Sequence, residues 1–179
     1  MRVGQRRAAP PRPAATGRRP PRAGAAAGGP GERSLRHILA VAELYADLTE
    51  AARGEGVTLA RFATEPGAWW PNGVGGWLKP DAYAVLERPG VRDHWWVEVD
   101  LATESVPTVR AKVAIYLDFR RRGQVGPDDL TPWLLVSTVT ERRRSGLAAM
   151  VRRLPEARDF VTVVVHTDAT AQLLKVLRE

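Results

Sequence analysis

Glu98 and Asp100 stand two residues apart in His94-Trp95-Trp96-Val97-Glu98-Val99-Asp100-Leu101, a stretch otherwise rich in aromatic and β-branched residues. At the two-residue period of a strand, Trp95, Val97, Val99 and Leu101 share one face, and Trp96, Glu98 and Asp100 share the other. Ionised carboxylates in such a setting are costly unless a metal, a cation or hydrogen-bond donors compensate them. The pair therefore calls for a partner. A third acid, Asp81, follows Lys79-Pro80 at the entrance of the preceding strand, Ala82 to Glu87, and Pro89-Gly90 marks the turn between the two. A simple antiparallel hairpin brings Asp81 close to Glu98 and Asp100. The candidate counter-charge is Lys112, which on a helical wheel lies between Phe119 and Tyr116, inside an apolar arc. The competing reading lays its stem along the core while the ammonium reaches water.

The elements that must position these groups alternate along the chain. Leu35, Ile38, Leu39, Ala42, Tyr45 and Leu48 recur at helical spacing, with Ser34 as a cap and Gly54 and Gly56 at the end. Val57 to Thr64 reads as a strand. Gly67 to Gly76, with four glycines, Pro71 and Trp69-Trp70, suits a loop or wide hairpin connection whose tryptophans fold back onto the core. A helix from about Val106 to Arg122 tolerates Pro107 in its first turn and carries Val109, Val113, Tyr116 and Leu117, extended by Ile115 and Phe119. Pro132 to Thr138 is a buried strand, and Thr140 caps a helix with Leu147, Met150, Val151 and Leu154 inward. Phe160 to His166 is the last strand, and Thr167 or Asp168 caps the final helix. This order predicts an α/β domain over residues 34–179, with a mixed five-stranded sheet covered by helices on both faces.

Composition divides the chain unevenly. Residues 1–31 hold seven arginines and no acid, and the rest balances 20 basic against 20 acidic residues. The same segment is dominated by Pro, Gly and Ala, which predicts a disordered arm over 1–33. Such an arm suits phosphate neutralisation, with Arg18, Arg19 and Arg22 as DNA contacts, or is an incidental tail. The absence of cysteine excludes disulfides and thiolate metal sites. No apolar run approaches the roughly 20 residues of a membrane span, so the expectation is a cytoplasmic protein without a membrane partner.

Leu35-Arg36-His37-Ile38-Leu39-Ala40-Val41 with Leu44-Tyr45, then Lys79-Pro80-Asp81-Ala82-Tyr83, then Val97-Glu98-Val99-Asp100 with Thr103-Glu104, and Lys112 with Tyr116, resemble the replication-relaxation family of actinobacterial and plasmid-borne proteins. The resemblance runs from about Leu35 to the end. It implies a role in plasmid or mobile-element replication or DNA relaxation, with DNA and proteins of a replication or transfer complex as partners. Members usually begin with a winged helix-turn-helix region, and here the arginine arm stands in its place.

The order of elements is also similar to the PD-(D/E)XK nuclease core, a restriction-endonuclease-like fold. That resemblance assigns Asp81 and Glu98 to a divalent metal, Mg²⁺, which activates water against a phosphodiester. It places Asp100 where that core has a lysine, so the positive charge must come from Lys112 or the site is inactive. Glu65 or Glu43 can supply a further acid. Two readings follow: a noncatalytic or degenerate nuclease-fold module that associates with DNA, or a Mg²⁺-dependent endonuclease or nickase using Asp81, Glu98, Asp100 and Lys112. Arg142, Arg143 and Arg144 open a helix, where positive charge opposes the dipole; the cluster is either a solvated helix face or a phosphate contact, with Arg142 and Arg143 as the candidates. The three histidines are too scattered for a zinc motif, and no phosphate loop or nucleophile elbow is present.

Overall fold

The computed structural model describes residues 31–178. The expected arm, with Arg18, Arg19 and Arg22, falls outside the described residues apart from the start of the first helix. The elements are α1 (Glu32–Gly54), β1 (Thr58–Thr64), the short β2 (Trp70–Pro71) and β3 (Trp77–Leu78), β4 (Ala82–Arg88), β5 (Val91–Asp100), α2 (Val106–Arg121), a 3₁₀ turn at Pro127–Asp129, β6 (Trp133–Thr138), α3 (Glu141–Arg152), β7 (Val161–Val165) and α4 (His166–Arg178).

The main sheet has five strands in the order β1-β4-β5-β6-β7. The β1–β4 and β4–β5 pairs are antiparallel, whereas β5–β6 and β6–β7 are parallel. The sheet is thus mixed, as expected. Trp95, Val97 and Val99 join Val41, Leu44 and Leu48 of α1 and Leu173 and Leu174 of α4 in one core. Trp96 joins Val113, Tyr116 and Phe119 of α2 and Leu147 and Met150 of α3 in the other. The alternation read in β5 therefore separates two cores, one under each helical layer. Trp96 is fully buried, its ring 5.5 Å from Tyr116 and 5.6 Å from Phe119.

The segment read as a loop or wide hairpin is a two-stranded ribbon, β2–β3, and Trp70 packs back on the α2–α3 core while its Nε1 donates to the Val125 carbonyl at 3.0 Å. Lys79 stands 4.5 Å from the Trp69 ring centre, a cation–π contact. Ser105 caps α2 and Thr140 caps α3, each side chain accepting a backbone N–H three residues on.

Expectations for three helices need correction. The buried stripe of α1 is Val41, Leu44, Leu48 and Ala52, and of the six residues expected there only Leu48 is buried. Gly31 precedes the helix without a side-chain cap, so Ser34 lies inside it. The second correction is that α4 starts at His166 directly from β7, ahead of Thr167 and Asp168. In α2, Phe119 is buried but Ile115 is exposed.

The α1 assignment has a direct check. Leu48→Ala is expected to lower stability by about 2–5 kcal/mol in chemical denaturation of dilute protein. Leu39→Ala should change it by less than about 0.5 kcal/mol. Equal losses would overturn the observed register of the helix.

Candidate functional site

The β4–β5 hairpin sets the site. Ala82 pairs with Val97, and the Asp81 N–H donates to the Val97 carbonyl at 2.9 Å, so Asp81 lies across from Glu98 at the ends of neighbouring strands. The Val99 N–H donates to Asp81 Oδ2 at 2.7 Å, and His37 Nε2 approaches Asp81 Oδ1 at 3.0 Å. A bond to Asp81 raises the His37 pKa against the opposing effect of burial, with the charges of Asp81 and Glu65 adding to it. His37 is thus the side-chain partner of Asp81, and the contact favours its charged form.

Glu98 meets a different environment. Its side chain is buried, and the Tyr116 hydroxyl donates to Oε1 at 2.6 Å. Burial first, and then the charge of Asp81, push its carboxyl up to about 8. Beside it lies a cavity of about 20 Å³ lined in part by Asp100, Glu104, Lys112 and Val136. That is room for a single water, since one water needs at least about 10–15 Å³ on the same measure.

Lys112 does not enter the core. Its Nζ pairs with Glu104 Oε2 at 2.8 Å and both side chains remain substantially exposed. Burial opposes the ammonium, but the bond to Glu104 and the charges of Glu98, Glu104 and Asp81 leave its pKa raised overall. It therefore lies within electrostatic reach of both acids while bonded to a third, combining the two readings of the sequence.

Asp100 is separate from this group. Arg143 grips it with two bonds, Nε to Oδ2 at 2.7 Å and Nη2 to Oδ1 at 3.0 Å, and the Thr138 hydroxyl adds a third at 2.9 Å. Although burial works against the charged form, Arg143 and Thr138 hold the carboxyl below its usual range. Arg143 also donates to the Glu104 carbonyl, and its side chain is only 15% exposed. The sequence offered Arg143 as a phosphate contact; it is the internal counter-ion of Asp100. Arg142 next to it is exposed, and Arg144 pairs with Glu141.

Of the expected set, the structure brings together Asp81, Glu98 and Lys112 and places Asp100 in its own ion pair. Glu65 lines the groove that holds His37 and Asp81, and Glu43 is exposed on α1. Among the described residues, no group of three His, Asp or Glu side chains is arranged to hold a metal ion. Sequence reasoning missed His37 and Arg143 as partners of acids. They lie 44 and 43 residues from those partners, beyond any local spacing rule. Tyr116, read in the sequence only as part of the apolar stripe, was missed as a partner of Glu98 too, although its i+4 spacing from Lys112 was a local signal for it.

A family model described as replication-relaxation matches residues 3–134. The match begins earlier than the resemblance read from the residues and ends inside β6. No curated protein matches, and no solved structure matches.

Two outcomes test this geometry. An acid whose pKa rises on folding binds more protons in the folded than in the unfolded state, so Glu98 stabilises the fold at low pH and loses that contribution as pH rises from about 4.5 to about 8. Glu98→Gln should flatten the fall of the unfolding free energy across this window, by an amount on the order of a few kcal/mol; an unchanged slope would show that Glu98 titrates normally. Arg143→Ala, which strands a buried charge, should cost about 3–5 kcal/mol at neutral pH, and Arg142→Ala should cost almost nothing in the same denaturation assay.

Proposed function

The chain belongs to the replication-relaxation family, and we propose that it serves DNA replication or relaxation as a DNA-associated module whose nuclease-like site is degenerate. Plasmids and other mobile elements are the DNA on which such a module acts, with DNA as the direct partner and proteins of a replication or transfer complex as the assembly it joins. The basic residues of the first 31 positions supply salt-sensitive contacts to phosphate, and Arg142 supplies one from the folded domain.

One observation carries the noncatalytic reading: Glu98 is closed in. A carboxylate that binds a divalent cation must be charged and open to the ion and its waters. Burial and the charge of Asp81 raise the pKa of Glu98, which accepts from Tyr116 and adjoins space for about one water. Asp100, in the place where a PD-(D/E)XK core has lysine, is neutralised internally by Arg143. As arranged, the acids do not fit a resident metal.

A second reading, a Mg²⁺-dependent endonuclease or nickase, is favoured by Asp81 and Glu98 lying at the ends of neighbouring strands with Lys112 in their field. Asp81 and Glu98 would be the residues that hold the ion. When bound, the ion supplies Lewis-acid activation of water. Lys112 then contributes positive charge near the substrate phosphate, and Tyr116 orients Glu98.

The deciding experiment incubates the full chain with supercoiled plasmid and Mg²⁺ or Mn²⁺, alongside Asp81→Ala and Glu98→Ala, and measures DNA binding over a salt series. Binding that weakens steeply with salt, without nicking, is the expected result. Nicking lost in both variants, together with a Mg²⁺-dependent rise in Tm that Glu98→Gln abolishes, would establish the second reading. Nicking that survives both variants would reject the site, and the absence of DNA binding would reject the module.

A further inference from the structure

The two helical layers differ in charge. In sequence, α2 and α3 each carry four basic residues against one acid, Asp118 in the first and Glu141 in the second. α1 carries three basic residues against four acids, and α4 two against one. Both acids of the α2–α3 layer are engaged, Asp118 by Arg121 and Arg122, and Glu141 by Arg144. Lys112 and Arg143 are held in turn by Glu104 and Asp100. Arg110 and Arg142, with Arg153 just past the end of α3, are exposed and pair with no acid among the described residues.

These three arginines border one groove. It is open, has a volume of about 360 Å³ and runs between α2 and α3, with Arg110 on one bank and Arg153 on the other. Val106 and Met150 form its floor, together with Gly146 and Ala149 of α3. Arg142, Gly146, Ala149 and Arg153 follow at intervals of four, three and four residues, so they share one flank of the helix. A Cβ built at Gly146 meets nothing within 4 Å, which leaves the floor open there. Arg142 and Arg153 stand about 16 Å apart along that flank at the rise of a helix. Among the described residues, neither an acid nor an aromatic ring lines the groove.

We propose that this groove seats one strand of the phosphate backbone of duplex DNA, without reading its bases. The inference rests on the DNA-associated role given above and names the folded surface that meets the DNA. Charge complementarity selects the occupant. Three uncommitted guanidinium groups, each a fork of donors, match phosphate oxygens that accept in pairs. A duplex carries a charge about every 1.7 Å of its axis, so every arginine along the groove finds a phosphate at once. Small residues at Gly146 and Ala149 leave room for a backbone to settle between the banks. Without an aromatic ring there is no platform on which unpaired bases stack, which favours the duplex over a single strand. Contacts of this kind go to phosphate alone and are therefore sensitive to salt and indifferent to sequence.

The test measures binding of the full chain to a fluorescein-labelled duplex by anisotropy over a salt series. Arg110→Ala combined with Arg153→Ala is expected to weaken binding roughly tenfold and to make the slope of log K against log salt shallower by about two. Gly146→Glu, which sets an acid on the open floor, should weaken it at least as much, and Gly146→Ala should change it by less than about twofold. Circular dichroism of these variants should match the parent, because the altered positions are exposed. Arg36→Ala combined with Arg53→Ala on α1 removes the same charge from the other layer and should weaken binding by less than about threefold. Equal losses from the two arginine pairs would reduce the effect to net charge and overturn the groove. Groove variants that bind DNA as the parent does would also overturn it while leaving the DNA-associated role standing, whereas a parent that binds no DNA would remove both. Tighter binding of a single strand than of the duplex, or groove variants that lose polyglutamate but keep DNA, would assign the groove to another occupant and sink the proposal.

Discussion

The antiparallel register that sets Ala82 against Val97 is the constraint on which the rest of the site depends. It fixes Asp81 opposite Glu98 and leaves Asp100 one step further along the same strand. Three carboxyl groups then lie at one end of the sheet, and each must be made tolerable separately. Asp81 is met by a backbone N–H and by His37 from one helical layer. Glu98 is met by Tyr116 from the other layer, and burial raises its pKa. Asp100 is met by the fork of Arg143. The helices α1, α2 and α3 are therefore tied to the sheet end by polar contacts as well as by the two cores.

These solutions differ in their electrostatic consequences. The Arg143 pair is charged, bidentate and largely enclosed, so it tolerates no substitution of either partner without loss. The Glu98 solution is conditional, because it depends on how far the nearby cation, Lys112, compensates the carboxyl. Lys112, held by Glu104 at the rim, lowers the cost of charging Glu98 without cancelling it. A dead site and a dormant one differ here in one proton and one lysine position.

Much of the fold was legible because β5 alternates strictly and its neighbours are punctuated by Pro80, Pro89-Gly90 and the caps Ser105 and Thr140. The hairpin that joins Asp81 to Glu98 followed from local turn chemistry alone. What local pattern did not reveal was which face of α1 is inward. The helix carries two apolar stripes, and periodicity measures their existence without ranking them. The sheet took Val41, Leu44 and Leu48 and left Leu35, Ile38 and Leu39 to solvent. The partners of the acids were hidden for a different reason. His37 and Arg143 reach Asp81 and Asp100 from distant helices, and only the packed layers bring them there.

The place where the family match stops, residue 134, falls just inside the first parallel strand. Thr138 and Arg143, which neutralise Asp100, lie beyond it, as does β7. The matched stretch is accordingly no self-sufficient folding unit. Severed at that point, it would present β5 as a naked edge and bare a stranded negative charge. The C-terminal quarter of the chain is thus the part that makes the family's portion of this molecule chemically closed.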